Sequence, residues 1–245
     1  MLSKTFKSAL RLVILAATYS TTSLWAASLQ VSPISVQFDG TDRAKEIWLT
    51  NTSSDSIRAQ TRVLEWTQTQ NKDDLQPTKD LVASPVITEI KAGERQLVRV
   101  IKTATQPNHT EQTYRVLVDE LPNTQSDKQK TGLQLLLQYS IPVFVASSQD
   151  IAVQGGLTSL KDVKFSYQNQ KITVTNNANS HVRLSQLTYV NTNGERIELA
   201  SGLLGYALAH QTMSWDIPQN KNMRANGTFE ARINMDGKAQ VLPMP

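Results

Sequence analysis

Leu133-Gln134-Leu135-Leu136-Leu137-Gln138-Tyr139-Ser140-Ile141-Pro142-Val143-Phe144-Val145 is the stretch on which the reading of this chain turns. Every second residue is apolar, from Leu133 through Leu135, Leu137, Tyr139, Ile141 and Val143 to Val145. That is the period of a β-strand with one face on a core. The run spans 13 residues, against about five or six in an ordinary strand. Its other face carries Leu136 and Phe144, so it is apolar on both sides. Burial on both faces would explain this, but Pro142 argues for an edge, because a proline cannot donate to a sheet ladder. If Leu133, Leu135 and Leu137 face water, about 5–9 kcal/mol of transfer free energy is unrealised, at roughly 1.5–3 kcal/mol per leucine. A long apolar edge is also a template for pairing with another chain.

Upstream of this run the same alternation recurs in short segments: Leu29–Gln37, Lys45–Thr50, Ile57–Thr67, Val86–Ile90, Gln96–Lys102 and Gln112–Glu120. Turn residues separate them, as in Asp39-Gly40-Thr41-Asp42 and Lys91-Ala92-Gly93-Glu94. Seven strands in about 120 residues is the count of an immunoglobulin-like sandwich. After Ala146-Ser147-Ser148-Gln149-Asp150 a second set follows: Val163–Tyr167, Lys171–Thr175, Val182–Val190, Ile197–Leu199, Thr212–Ile217 and Thr228–Asn234. The expectation is an all-β protein of two sandwiches, residues 27–146 and 147–245, with no sequence repeat between them.

Residues 1–26 read as a signal peptide, with a basic start, the apolar stretch Leu12–Ala17 and small residues up to Ala26. Thr18, Ser20, Thr21, Thr22 and Ser23 break that stretch too early for a membrane span. Three of the 25 basic residues lie in this leader with no acid, so its removal lowers the net charge from +4 to +1. A general nucleic-acid-binding surface is therefore disfavoured, and no later segment suggests membrane insertion. The chain has no cysteine, which excludes thiol chemistry, thiolate metal sites and disulfides.

Other chemistry is sparse. His109, His181 and His210 lack metal-ligand spacing, and Asp73-Asp74 reads as a solvated loop pair. Ser201-Gly202-Leu203-Leu204-Gly205 has the spacing of neither a nucleophile elbow nor a phosphate loop. Trp48, Trp66 and Trp215 suit a core better than a ligand platform. No nucleophile–base pair or cofactor motif emerges, so the chain is not expected to be an enzyme or to carry a cofactor.

Glu111-Gln112-Thr113-Tyr114-Arg115-Val116-Leu117-Val118-Asp119-Glu120-Leu121-Pro122, a polar loop, and the run ending Ile141-Pro142-Val143-Phe144-Val145 together resemble the signature region of periplasmic pilus-assembly chaperones. Val31-Ser32-Pro33 with Phe38-Asp39-Gly40, Ala92–Val100, and Ile172–Asn176 with Val182 extend the resemblance over the whole mature chain. The wording of Tyr139–Val145 and the missing cysteines look most like the archaic branch of the chaperone–usher pathway, which serves spore-coat-type pilins.

The resemblance implies two immunoglobulin-like domains in a boomerang arrangement, located in the periplasm. It implies pilin subunits as partners, bound by donor-strand complementation through Leu133, Leu135, Leu137, Tyr139 and Ile141. An outer-membrane usher would receive the complex. Self-association of the free protein is left open as a way of covering the strand. Many family members hold the subunit's C-terminal carboxylate with two basic residues, at positions occupied here by Ser35 and Pro142. Neither carries charge, so the anchor is expected at Arg99 first, with Arg115 and Arg62 behind it. A pilus subunit and a ligand-binding sandwich remain as alternatives, the first disfavoured because the apolar strand is internal rather than at the N-terminus.

Overall fold

The computed structural model describes residues 29–39, 41–103, 109–122, 135–147, 160–217, 223, 226–235 and 237–244. The expected leader and Leu133 lie outside them. All regular structure among the described residues is β-strand.

The first half contains β1 (Leu29–Ser32), β2 (Val36–Phe38), β3 (Ala44–Asn51), β4 (Ile57–Thr69), β5 (Lys72–Pro77), β6 (Leu81–Ser84), β7 (Ile87–Ile90), β8 (Arg95–Lys102), β9 (Gln112–Leu121) and β10 (Gln138–Val145). One sheet runs β1-β3-β8-β6, and the other runs β2-β10-β9-β4-β5 with β7 also paired to β4. Alternation sends Ile47 and Leu49 of β3, Val98 and Val100 of β8, and Val116 and Val118 of β9 into one core between the sheets. Tyr114 of β9 is buried there with its hydroxyl 3.3 Å from Asp80. Burial, then the Asp80 charge, pushes its pKa far above the ordinary phenol value.

The second half contains β11 (Val163–Gln168), β12 (Lys171–Asn176), β13 (Val182–Val190), β14 (Arg196–Ala207), β15 (Thr212–Asp216), β16 (Thr228–Ile233) and β17 (Gln240–Val241). Its sheets run β11-β12-β15 and β14-β13-β16-β17 around a separate core that includes Phe165, Ile172, Val174, Leu184 and Leu187.

Four expectations need correction. The opening run expected as one strand is two: β1 pairs antiparallel with β3, and β2 pairs parallel with β10 in the other sheet. The crossing occurs at Pro33, which has no N–H to extend the first ladder. Asp73 and Asp74 are in β5 rather than a loop. That strand is exposed throughout and forms the polar edge of its sheet, where charge discourages pairing with other chains.

The strand expected at Ile197–Leu199 runs on as β14 through Ser201–Gly205, its alternation obscured because three register shifts interrupt its pairing with β13. A Cβ at Gly205 would come within 2.4 Å of Trp215 Nε1, so only glycine fits there. Finally, β10 covers only the second part of the 133–145 run.

Candidate functional site

β10 is held unequally on its two sides. β9 pairs with it antiparallel along its whole length, from Gln138 opposite Asp119 to Val145 opposite Gln112. β2 pairs only with Val143, Phe144 and Val145. Among the described residues no strand lies on that second side of Gln138–Pro142. The sheet switch at Pro33 is what leaves it open, because β1 follows β3 instead of continuing along β10.

Hydrogen-bond parity identifies the groups that face the open side. The Glu120 N–H donates to the Leu137 carbonyl at 2.8 Å, whereas the Ala146 N–H donates to Phe38 of β2 at 2.9 Å. Along an antiparallel strand the main-chain groups alternate in direction. Those of Leu137, Tyr139 and Ile141 therefore point toward β9, and those of Gln138 and Ser140 point to the open side. Pro142 shares the open parity, so the N–H it lacks is absent from the unpartnered edge rather than from the ladder with β9.

The side chains divide the run in the same place. Ile141, Val143 and Val145 are buried in the core of their own sandwich, Ile141 being only 3% exposed. At roughly 1.5–3 kcal/mol each, they pin this half of the strand to the protein. Tyr139 packs at the margin of that core and donates its hydroxyl to the Leu29 carbonyl. Leu135 is 74% exposed and Leu136 45%, with Leu137 half-buried. Of the expected set of Leu133, Leu135, Leu137, Tyr139 and Ile141, Ile141 lies in the protein's own core and Tyr139 at its margin. Leu135 and Leu137 remain available, and Leu133 lies outside the described residues. Ile34, 77% exposed in the crossing between β1 and β2, is a further large apolar side chain that pattern reading passed over.

The two favoured arginines lie on different sheets. Arg99 is on β8, exposed and opposite Glu46 and Ser84, on the sheet that does not contain β10. Arg115 is on β9, in register with Pro142. Its guanidinium lies 3.7 Å from the Trp66 ring centroid and 5.5 Å from that of Tyr206. Burial lowers its pKa, an effect that Tyr206 and Asp73 oppose, but an arginine stays charged under these conditions. Arg62 donates from Nη2 and Nε to the one Oδ2 of Asp119 at 2.8 and 3.0 Å, and Gln138 donates to Oδ1 of the same carboxylate.

Trp66, Phe144, Tyr206 and Leu208 form a third apolar cluster joining the two halves of the chain. Trp66 is 1% exposed and meets Tyr206 edge-on at 5.3 Å. His181 stacks on Phe144 at 3.6 Å, and Glu111 accepts from both the His181 main-chain N–H and ring Nδ1 at 2.8 Å. Gln68 and Asn71, in the β4–β5 hairpin, also cross to the second half. No local pattern in the sequence marks these residues as a joint, because their partners lie 37 to 143 residues away. Among the described residues no group of three or more His, Cys, Asp or Glu could hold a metal, and no helix is long and apolar enough to cross a membrane.

Residues 28–149 match the family described as pili and flagellar-assembly chaperone, PapD N-terminal domain. A search of curated protein sequences returned no match. Among solved structures, the chain is similar to one in the CsuC–CsuE chaperone–tip adhesion subunit pre-assembly complex from archaic chaperone–usher Csu pili of Acinetobacter baumannii. Identity is 26%, with 88% of this chain and 97% of that chain covered and a TM-score of 0.64. The E. coli chaperone DraB matches with 17% identity, 89% and 97% coverage and a TM-score of 0.61. The Salmonella enterica SafA pilin–SafB chaperone complex matches with 14% identity, 89% and 95% coverage and a TM-score of 0.62, which speaks to the shared two-domain β-sandwich fold. With its N-terminal sandwich matched by sequence and its whole fold shared with such proteins, the chain belongs to the pilus-assembly chaperones.

Proposed function

We propose that this chaperone captures pilin subunits in the periplasm by donating the open edge of β10, after removal of residues 1–26, and passes them to an outer-membrane usher. Residues 27–146 carry the edge and residues 147–245 form the second domain. The observation that carries this reading is the divided strand: one half fixed in its own core, the other with an edge that no described strand pairs and an exposed Leu135. A sandwich lacking one strand would supply both missing complements, hydrogen bonds for Gln138 and Ser140 and pockets for Leu135 and Leu137. Similarity to the CsuC–CsuE complex supports an archaic-type subunit as the partner.

The carboxylate anchor is assigned to Arg115 in preference to Arg99. Arg115 neighbours Pro142 across the β9–β10 ladder, so the positive charge missing from the donor strand stands one strand away. Its ring contacts hold the guanidinium in place, and a carboxylate would find bidentate donors there. No step requires a nucleotide or a cofactor, since replacement of the chaperone strand by a better-fitting one from the next subunit drives release.

Coexpression with candidate pilins followed by size-exclusion chromatography tests the reading. A stable one-to-one complex is expected. Self-polymers of this chain would instead indicate a subunit, and a monomer indifferent to every pilin would indicate a ligand-binding sandwich.

A further inference from the structure

The β4–β5 hairpin reaches from the first sandwich to the second with two amide side chains. Thr69 pairs with Lys72, which leaves Gln70 and Asn71 as a two-residue turn with φ of 52° and 63°. Positive φ at both positions is the mark of a type I′ hairpin, and asparagine tolerates it well. Gln68 is 4% exposed just before this turn. Its Nε2 donates to the Tyr206 carbonyl and its Oε1 accepts from the Leu208 N–H, both at 2.9 Å. Its amide also donates to Asp73 of the same hairpin at 2.9 Å, which fixes the side chain at its base.

Asn71 repeats the arrangement. Its Nδ2 donates to the Ser214 carbonyl at 3.1 Å and its Oδ1 accepts from the Ser214 N–H at 2.6 Å. Ser214 is on β15, an edge strand whose only neighbour among the described strands is β12. Asn71 thus stands in for the missing strand neighbour at that edge, and Gln68 does the same across the end of β14.

Other contacts between the domains include an apolar cluster, with Trp66 on β4 and Phe144 on β10, and, at the start of β9, bonds of Glu111 to Asn179 and His181. The cluster of Trp66, Phe144, Tyr206 and Leu208 is apolar, so it sets a separation and is tolerant of angle. The Glu111–His181 pair adds direction at the start of β9. A single directional flank leaves an axis about which the second domain could turn. Gln68 and Asn71 supply directional bonds on the hairpin side, and a main-chain N–H and C=O pair accepts an amide in only one orientation.

We infer that the β4–β5 hairpin is a latch that fixes the angle between the two domains, making Gln68 and Asn71 positioning residues for subunit capture. This rests on the chaperone reading above. The latch touches no subunit itself; it holds the second domain where a subunit lying along β10 meets it.

The test uses the mature chain with the double substitution Gln68→Ala and Asn71→Gly, the glycine keeping the positive φ of the turn. Residual dipolar couplings report each domain's alignment, and amide shifts outside the hairpin report whether both domains are still folded. The wild type is expected to fit one common alignment tensor, and the variant to need two. Release of a captured subunit is expected to be about tenfold faster in the variant.

A common tensor in the folded variant would overturn the latch. Two tensors with an unchanged release rate would overturn its role in positioning. If the wild type captures no pilin, the chaperone reading fails while the couplings still decide the latch. If the double variant does not fold, Asn71→Gly alone, which leaves the buried Gln68 intact, is put through the same couplings, and an unaltered interdomain order would again count against the latch.

Discussion

Leu135→Ala separates the two demands placed on the donor strand. In the free protein Leu135 is 74% exposed, so its truncation removes almost no buried contact. Stability should change by no more than about 0.5 kcal/mol, the usual range for surface substitutions. In a captured subunit the same side chain would fill a core position, where Leu→Ala costs about 2–5 kcal/mol. An edge site relaxes more readily than a closed core, so the lower part of that range, about 2–3 kcal/mol, is the appropriate expectation. That corresponds to roughly 30- to 150-fold weaker capture. Thermal melts of the free protein and release rates from an immobilised pilin measure the two quantities separately. Val82, also exposed but on β6 of the other sheet, provides a control: Val82→Ala should alter neither. Unchanged release from Leu135→Ala would refute the reasoning, and so would a lowered melting temperature, which would mean that the leucine serves its own fold.

Arg115→Ala should weaken capture by about 1.5–3 kcal/mol, the worth of a hydrogen bond to a charged group, while Arg99→Ala leaves it unchanged; calorimetry with a pilin-derived C-terminal peptide distinguishes them. Gly205→Ala places a methyl against the Trp215 indole and should destabilise the second domain by about 1–3 kcal/mol, visible as an earlier change in tryptophan fluorescence on denaturant unfolding. Asp42 bonds to Lys45 at 2.6 Å and accepts from the Asp39 N–H, and these bonds, the lysine's first, hold its pKa below the ordinary 3.8. Its contribution is present above the unfolded-state pKa and lost as pH falls through the folded one, and its exposure keeps that contribution small. In an NMR titration, Lys45→Ala should move the Asp42 midpoint upward.

The sequence made the donor strand legible because alternation and proline act locally. A strand with apolar residues on both faces and a proline on one edge parity announces an unsatisfied edge before any tertiary contact is known. Where the strand divides was not legible. That depends on how far β2 runs beside it, which Pro33 sets from more than a hundred residues away. Ile141 and Leu135 have the same parity and similar hydrophobicity, yet one is in a core and the other in water. β5 was missed because an edge strand in solvent has no alternation to display. Asn51 and Asn176 make matching local bonds, each donating to the carbonyl four residues on, Asp55 or Ser180, and accepting from the N–H two residues on, Ser53 or Ala178, a likeness that two asparagines in a sequence do not announce. The placement of Arg115 over Trp66 follows from the β4–β9 register, which sets Leu64 opposite Arg115 and Trp66 two residues on, a pairing that no local spacing in the sequence encodes.

Residue-resolved amide hydrogen exchange along β10 tests the central claim most directly. In the free chaperone the Tyr139 and Ile141 amides, which face β9, should be protected, while those of Gln138 and Ser140 exchange quickly. Binding of a pilin subunit should protect Gln138 and Ser140 and abolish the alternation. Slow exchange at Gln138 and Ser140 in the free monomer, or no gain of protection in the complex, would contradict the account.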